Sequence, residues 1–186
     1  MVDGSSLFQR QEMGMDMSRY YAVGFPAGAF NDEQIRYLFT AEKLLGIKKI
    51  TYQIWLCFLG GNTPESVIKN QDFSIYDDPV GLWEIIEEMA RTGLLISEED
   101  ILNYIPLRHG VGAGHQEDGS FLIYTDKPHK TAWLSYLIWL YSDGRHSFAG
   151  IFEQLSKLNV EIHEKEAKKE ILSLLDESVL FLSQEA

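Results

Sequence analysis

Cysteine is almost absent from this 186-residue chain: the only one, Cys57, lies within an apolar run. One cysteine cannot form an internal disulfide, so the fold does not depend on an oxidising compartment. Since no cation or second thiol stands beside it in sequence, we interpret Cys57 as a buried apolar residue rather than a nucleophile. The N-terminus also lacks a basic start followed by an apolar core, the pattern of a secretory signal. Together these absences predict a cytoplasmic protein.

Positive charge is scarce, with 16 Lys and Arg against 28 Asp and Glu and a formal net charge of −12. Nucleic acids and anionic membranes are bound mainly through cations that neutralise phosphates, so both become disfavoured partners, although a local basic patch is still compatible with this composition. Every uncharged run is shorter than the ~20 apolar residues that span a bilayer. The 45% hydrophobic and 12% aromatic content is that of a globular protein with a packed core.

A repeated segment organises the chain. The motif Tyr-x-Ile-Trp-Leu at residues 52–56, followed by Gly60, recurs at residues 136–140, followed by Gly144. Four further apolar positions recur at an offset of 86: Ile85, Ile86, Met89 and Leu94 pair with Ile171, Leu172, Leu175 and Leu180. These matches predict an internal duplication.

The first half is predicted to be mainly helical. Residues 1–29 are predicted to be a weakly ordered N-terminal segment, although residues 20–25 also fit a short strand or a segment that docks on a partner. Asn31 or Asp32 is expected to cap a helix that reaches about Leu45 and ends at Gly46. Helices over about 51–59, from 63 and over about 77–92 follow, and then a strand at 94–96. This order predicts a winged helix-turn-helix unit over residues 30–100.

The second half, residues 101–186, is predicted to begin with a β-hairpin. Residues 101–107 and Phe121–Tyr124 have strand-like content, and the glycine-rich stretch 109–119 between them reads as a long flexible tip. The helices that follow repeat those of the first half. The predicted fold class is therefore α+β, mostly helical, with tandem winged-helix units made of a helix-turn-helix and a small β-sheet.

Residues from about 105 to 182 resemble the PqqD family and the related RiPP recognition elements. The resemblance is carried by the strand Phe121–Tyr124, the helix residues Leu137–Leu140, the turn Ser142-Asp143-Gly144-Arg145-His146-Ser147, and a last helix ending at about Leu180. It implies a small sheet packed on three helices, with a precursor peptide adding as a strand to the sheet edge beside the last helix. On this chain the groove is expected between strand 121–124 and a helix over about 164–177. The implied peptide contacts are Phe121, Ile123, Tyr124, Lys165, Lys168 and Lys169.

DNA binding is the alternative that a winged helix suggests. A recognition helix needs cations for phosphates and Arg, Asn or Gln for bases. The third helix of the first half instead offers five acidic residues against Arg91, and that of the second half five against three lysines. A DNA-associated transcriptional regulator therefore stays the second hypothesis.

The segment 109–119 also invites a metal or phosphate interpretation, because His109 and His115 stand near Glu117 and Asp118. A flexible glycine-rich tip does not hold zinc ligands rigidly, and the segment lacks the lysine of a phosphate-binding P-loop. We predict a mobile loop, no metal and no cofactor. His146 is expected to belong to a helix cap.

No set of nucleophile, base and orienting group emerges from the sequence, so the chain is not expected to be an enzyme. The leading hypothesis is a non-catalytic peptide- or protein-binding or scaffold protein. The aromatic pairs Tyr52/Trp55 and Tyr136/Trp139 are typical of a core, and they leave a homodimer open.

Overall fold

The computed structural model describes residues 18–29, 34–40, 43–70 and 79–183, and at residues 79 and 80 the backbone alone. Within these ranges the chain is an α+β protein, as predicted, with several small antiparallel sheets. The strands are β1 (Tyr20–Ala22), β2 (Phe25–Gly28), β3 (Ile35–Thr40), β4 (Lys43–Lys48), β5 (Leu95–Ser97), β6 (Ile105–Arg108), β7 (Val111–His115), β8 (Phe121–Tyr124), β9 (Pro128–Thr131) and β10 (Leu180–Ser183). The α-helices are α1 (Lys49–Leu56), α2 (Pro64–Asn70), α3 (Pro79–Arg91), α4 (Trp133–Tyr141), α5 (Phe148–Lys157) and α6 (Glu164–Asp176), with a 3₁₀ helix at Glu98–Asn103. None of these described helices combines the length and apolar character needed to cross a membrane.

The two halves have the same order of elements. Each begins with a short strand (β1 or β6), continues into a three-stranded antiparallel meander (β2-β3-β4 or β7-β8-β9), and then forms three helices. Each ends with a strand, β5 or β10, that returns to pair antiparallel with its own first strand. The repeat in sequence thus coincides with a repeat in architecture.

Matching hydrogen bonds fix which residues correspond. The Trp55 indole donates to the carbonyl of Val23, and the Trp139 indole donates to the carbonyl of His109, both at 3.0 Å. The amides of Val23 and His109 in turn donate, both at 2.9 Å, to Leu94 and Val179. The equivalent residues are therefore 86 positions apart in the first strand, 84 in the first helix and 85 after the third helix.

The predicted offset of 86 for the last helix is wrong by one residue. At the C-terminus of this helix in the first half, the Leu94 amide donates to the Met89 carbonyl. In the second half the Val179 amide donates to the Leu174 carbonyl. This register pairs Ile86 with Ile171, both fully buried. The sequence could not distinguish the two registers, because apolar residues occupy consecutive positions at 85–86 and again at 171–172.

The helix predicted up to Leu45 is also wrong: residues 35–40 and 43–48 are the paired strands β3 and β4. Their apolar positions fit a period of two, with Ile35, Tyr37 and Phe39 on one face, as well as they fit a helical stripe. Gly46 does not end a helix but pairs with Tyr37, where a Cβ would lie 3.2 Å from the Tyr37 ring. The proposed caps Asn31 and Asp32 lie outside the described residues.

The N-terminal segment is ordered where it is described. Tyr21 and Val23 are fully buried, which corrects the expectation of weak order for this part; residues 1–17 lie outside the described ranges. The residues of β1, together with Val23 directly after it, alternate between two cores. Tyr20 and Ala22 pack into the core of the first half, whereas Tyr21 and Val23 pack into that of the second.

Further contacts join the halves around β1. The Gly24 amide donates to the Leu182 carbonyl at 2.7 Å, and Val23 forms a parallel bridge with Leu182. The Arg19 guanidinium donates to the carbonyls of Gly60 and Gly61 and to the Asp176 carboxylate. One N-terminal segment therefore ties together elements from both repeats.

Candidate functional site: a groove between an edge strand and a helix

The strand expected to receive a peptide has no free edge. β8 lies in the middle of the order β7-β8-β9, so its backbone is paired on both sides. Ile123 is fully buried and Phe121 packs against Trp133 and Tyr136, although Tyr124 is exposed. The placement of the groove at strand 121–124 is therefore wrong. In the second half the edge strand joined to the last helix is β9.

In the second half, hydrogen bonds between polar side chains bridge the cleft between β9 and α6. His129 of β9 is 4% exposed, and its ring lies 2.7 Å from a Glu177 oxygen and 2.8 Å from the Thr125 hydroxyl. The Ser135 hydroxyl donates to the Glu170 carboxylate, which joins α4 to α6. The predicted contacts on α6 are exposed at Lys165 and Lys169 and half-buried at Lys168.

The first half has an open groove at the corresponding place. It lies between β4, which is an edge strand of the sheet β2-β3-β4, and helix α3, and its volume is about 690 Å³. Its lining residues are Thr40, Lys43, Leu45, Ile47, Lys48, Thr51, Gly81, Glu84, Ile85, Glu88, Met89, Thr92, Gly93 and Leu94. Apolar side chains form most of the floor and charged ones stand at the rim.

Helix α3 packs one face on the core and forms one wall of the groove with the neighbouring face. Leu82, Ile86 and Met89 follow helical spacing and are buried in the core. Gly81, Ile85 and Glu88, which share the neighbouring face at spacings of four and three, line the groove. Met89 lies between the two faces and contributes to both.

Strand β4 supplies the other wall and an open backbone edge. The Lys49 amide donates to the Gln34 carbonyl at 2.7 Å, which sets the alternation of hydrogen-bonded pairs along β3–β4. In this register the backbone groups of Leu45 and Ile47 face β3, whereas those of Leu44 and Gly46 point away from the sheet. No described strand pairs with that edge.

Some charged side chains at the rim are paired and others are not: Glu84, on the helix side, lines the groove and forms no ion pair among the described residues. Arg91 donates to both oxygens of Glu88, at 2.8 and 2.6 Å, and this interaction raises the pKa of the arginine. Lys43 and Lys48, on the strand side, form no ion pair with any residue in the described ranges. The groove therefore offers unpaired positive charge along the strand.

The two histidines of segment 109–119 are not brought together. His109 lies between β6 and β7 and packs against Phe25 and Phe181, whereas His115 is the last residue of β7 and packs against Phe121. Within the described residues no three His, Cys, Asp or Glu side chains are grouped to hold a metal ion. Much of the segment is strand β7, with a bulge between Gly112 and Gly114, and not a long loop.

The remaining sequence candidates have structural partners. Ser147 caps α5 by accepting a hydrogen bond from the Gly150 amide, and His146 stands in the turn before it, 4.0 Å from Asp143. The Cys57 thiol is half-buried and donates to the Gln53 carbonyl. Burial raises the pKa of Cys57, which keeps it in the unreactive thiol form.

The sequence carried a partial signal for the groove. Lysines at both ends of a short apolar run, Lys43 and Lys48, are typical of an exposed edge strand. That signal was hidden by the helical interpretation of the same residues. Comparison of the chain with protein-family models and with curated proteins found no match.

Proposed function

We propose that this is a non-catalytic binding or scaffold protein whose first half takes up an extended peptide segment of a protein partner in the β4–α3 groove. The observation that carries the proposal is the open backbone edge of β4 beside an apolar floor. A peptide that adds to such an edge gains main-chain hydrogen bonds, and pockets for alternate side chains give specificity.

The finer description of the fold belongs to the same proposal. We regard each half as a winged-helix unit, and the second as one that resembles the PqqD family. The binding mode implied by that resemblance, strand addition beside a last helix, is supported by the first-half groove rather than by strand 121–124. Because β4 and α3 are the first-half equivalents of β9 and α6, a binding mode expected in the second half is also expected in the first.

The alternative of a DNA-associated regulator has less support. Helix α3 carries Glu84, Glu87 and Glu88 with Arg91 already bound to Glu88, so it has little with which to contact phosphates. A continuous cationic surface would be needed on α3 or α6, and the acidic residues of both helices oppose one.

The test is a selection of random displayed peptides on the full chain, followed by binding measurements on two variants. Leu44→Pro removes a backbone donor that points out of the sheet, and Leu44→Ala removes the same exposed side chain but keeps that donor. Selected peptides should lose binding to Leu44→Pro and keep most of it with Leu44→Ala, while amide NMR signals of β4 and α3 shift in the native chain. Peptides that bind both variants equally well, or none selected at all, would refute strand addition at β4.

A further inference from the structure

The side chains of β4 that line the groove follow a fixed order along the strand, one cation and then two apolar residues. Successive residues of a strand point to opposite faces, so Lys43, Leu45 and Ile47 share one face, and all three line the groove. In an added strand, the residue directly opposite each of them points to the same side, with Cβ atoms about 4.5–5.5 Å apart. The side chains of the occupant are therefore matched one by one to a cation and two apolar residues.

The apolar part of the groove is built from both walls. Leu45 and Ile47 come from β4, and Ile85, Met89 and Leu94 come from α3 and the residues that follow it. Two apolar side chains of an added strand, spaced two residues apart, would leave water and cover this floor.

Lys43 lines the groove without a carboxylate partner among the described residues, as does Glu84 on the helix wall without a cationic one. Glu88, also on the helix wall, is held by two hydrogen bonds from Arg91. A chain with a net charge of −12 disfavours acidic partners in general, so an unpaired lysine at the rim of an apolar groove is a locally selective feature.

We infer that the occupant is an extended segment with two apolar residues two positions apart and an Asp or Glu two positions beyond, placed opposite Ile47, Leu45 and Lys43. This inference rests on the proposed function and names the peptide class that the groove accepts. Antiparallel addition gives the order apolar–x–apolar–x–acidic, and parallel addition gives the reverse. The order found therefore reports the direction of the added strand.

The experiment repeats the peptide selection on the full chain with three proteins: native, Lys43→Glu and Lys127→Glu. Lys127 is the second-half equivalent of Lys43, it is exposed, and its substitution changes the net charge equally. Native chain and Lys127→Glu should enrich the acidic pattern, and Lys43→Glu should enrich Lys or Arg at the acidic position. A peptide selected on the native chain should lose about fivefold in affinity on Lys43→Glu, the effect of replacing an opposite-charge cross-strand pair by a like-charge pair.

The outcomes separate the two proposals. Suppose that the selected peptides lose binding to Leu44→Pro but show no preference for Asp or Glu opposite Lys43, or no switch to Lys or Arg with Lys43→Glu. That result would overturn the inferred acidic position and leave strand addition at β4 standing. A selection that yields no edge-dependent peptide overturns both.

Discussion

Leu45 and His129 occupy equivalent positions, 84 residues apart, on the edge strands of the two halves. Leu45 pairs across its hairpin with Leu38, His129 pairs with Ile123, and both partners are fully buried. Leu45 lines an open groove, whereas His129 is buried and joined to Glu177 near the end of α6. The residues equivalent to the Ser135–Glu170 bridge are Thr51 and Ile85, which also line the open groove. One repeat keeps the cleft open and the other closes it with hydrogen bonds.

We expect His129→Ala to lower the free energy of unfolding by about 2–3 kcal/mol, since it removes two hydrogen bonds and leaves a gap between β9 and α6. Urea denaturation monitored by circular dichroism measures this. The matched control is His115→Ala, an exposed histidine, for which we expect a change within about 0.5 kcal/mol. Equal effects of the two substitutions would show that the bridge contributes nothing to stability.

A closed second cleft also predicts the binding stoichiometry. Native mass spectrometry with a selected peptide should show one peptide per chain. Replacing the bridging residues by their first-half equivalents, as in His129→Leu with Glu170→Ile and Glu177→Thr, should allow a second peptide to bind. Two peptides on the native chain would contradict the conclusion that, of these two equivalent clefts, the first-half one alone is open.

The indole hydrogen bonds repeated in both halves are expected to stabilise the fold to similar extents. Trp55→Phe leaves the Val23 carbonyl without its donor and opens a cavity, and we expect a loss of about 2–4 kcal/mol. Trp139→Phe should cost about as much at the His109 carbonyl. Trp133→Phe, at a tryptophan that is 53% exposed, serves as the control and should cost little in chemical denaturation.

Stability should fall at high pH because of Tyr21. Burial raises the pKa of Tyr21 to about 12. Because the unfolded chain loses this proton near pH 10, the contribution is complete below pH 10 and is lost as the pH rises to about 12, by up to about 1.4 kcal/mol per pH unit. Tyr21→Phe should flatten the dependence of the unfolding free energy on pH in this window, whereas Tyr124→Phe, at an exposed tyrosine, should not. An unchanged slope in Tyr21→Phe would assign the effect to other groups.

Gly61 is expected to tolerate no side chain. It has a φ of +75°, and a Cβ there would lie 2.4 Å from the buried Tyr21 ring. Gly61→Ala should therefore cost about 3 kcal/mol or more, from backbone strain and overpacking together. Gly119→Ala isolates the strain, since its φ is +84° with nothing within 4 Å, and should cost about 1 kcal/mol. Thermal unfolding of the two variants compares them directly, and similar melting temperatures would contradict the steric argument.

Local patterns in the sequence predicted some elements well. The helix expected over about 77–92 is α3, and the strand Phe121–Tyr124 is β8 with those bounds. The β3–β4 hairpin was missed because its apolar positions satisfy two periods at once, and only pairing across the sheet selects one. Whether a strand is central or at an edge is a tertiary property, which is why the site was placed on β8. The difference between the two clefts depends on His129 meeting Glu177, a contact between residues 48 positions apart that no local pattern reports.

The alternation along β1 has a consequence for how the chain can be divided. Three consecutive residues, Tyr20, Tyr21 and Ala22, contribute to two cores, and the sequence of the second repeat does not contain the residues that complete its interior. A fragment that begins near residue 101 would lack Tyr21 and Val23, and a fragment that ends near residue 100 would expose them to water. Although the architecture is duplicated, the halves are not separable modules, and they should unfold in a single cooperative transition.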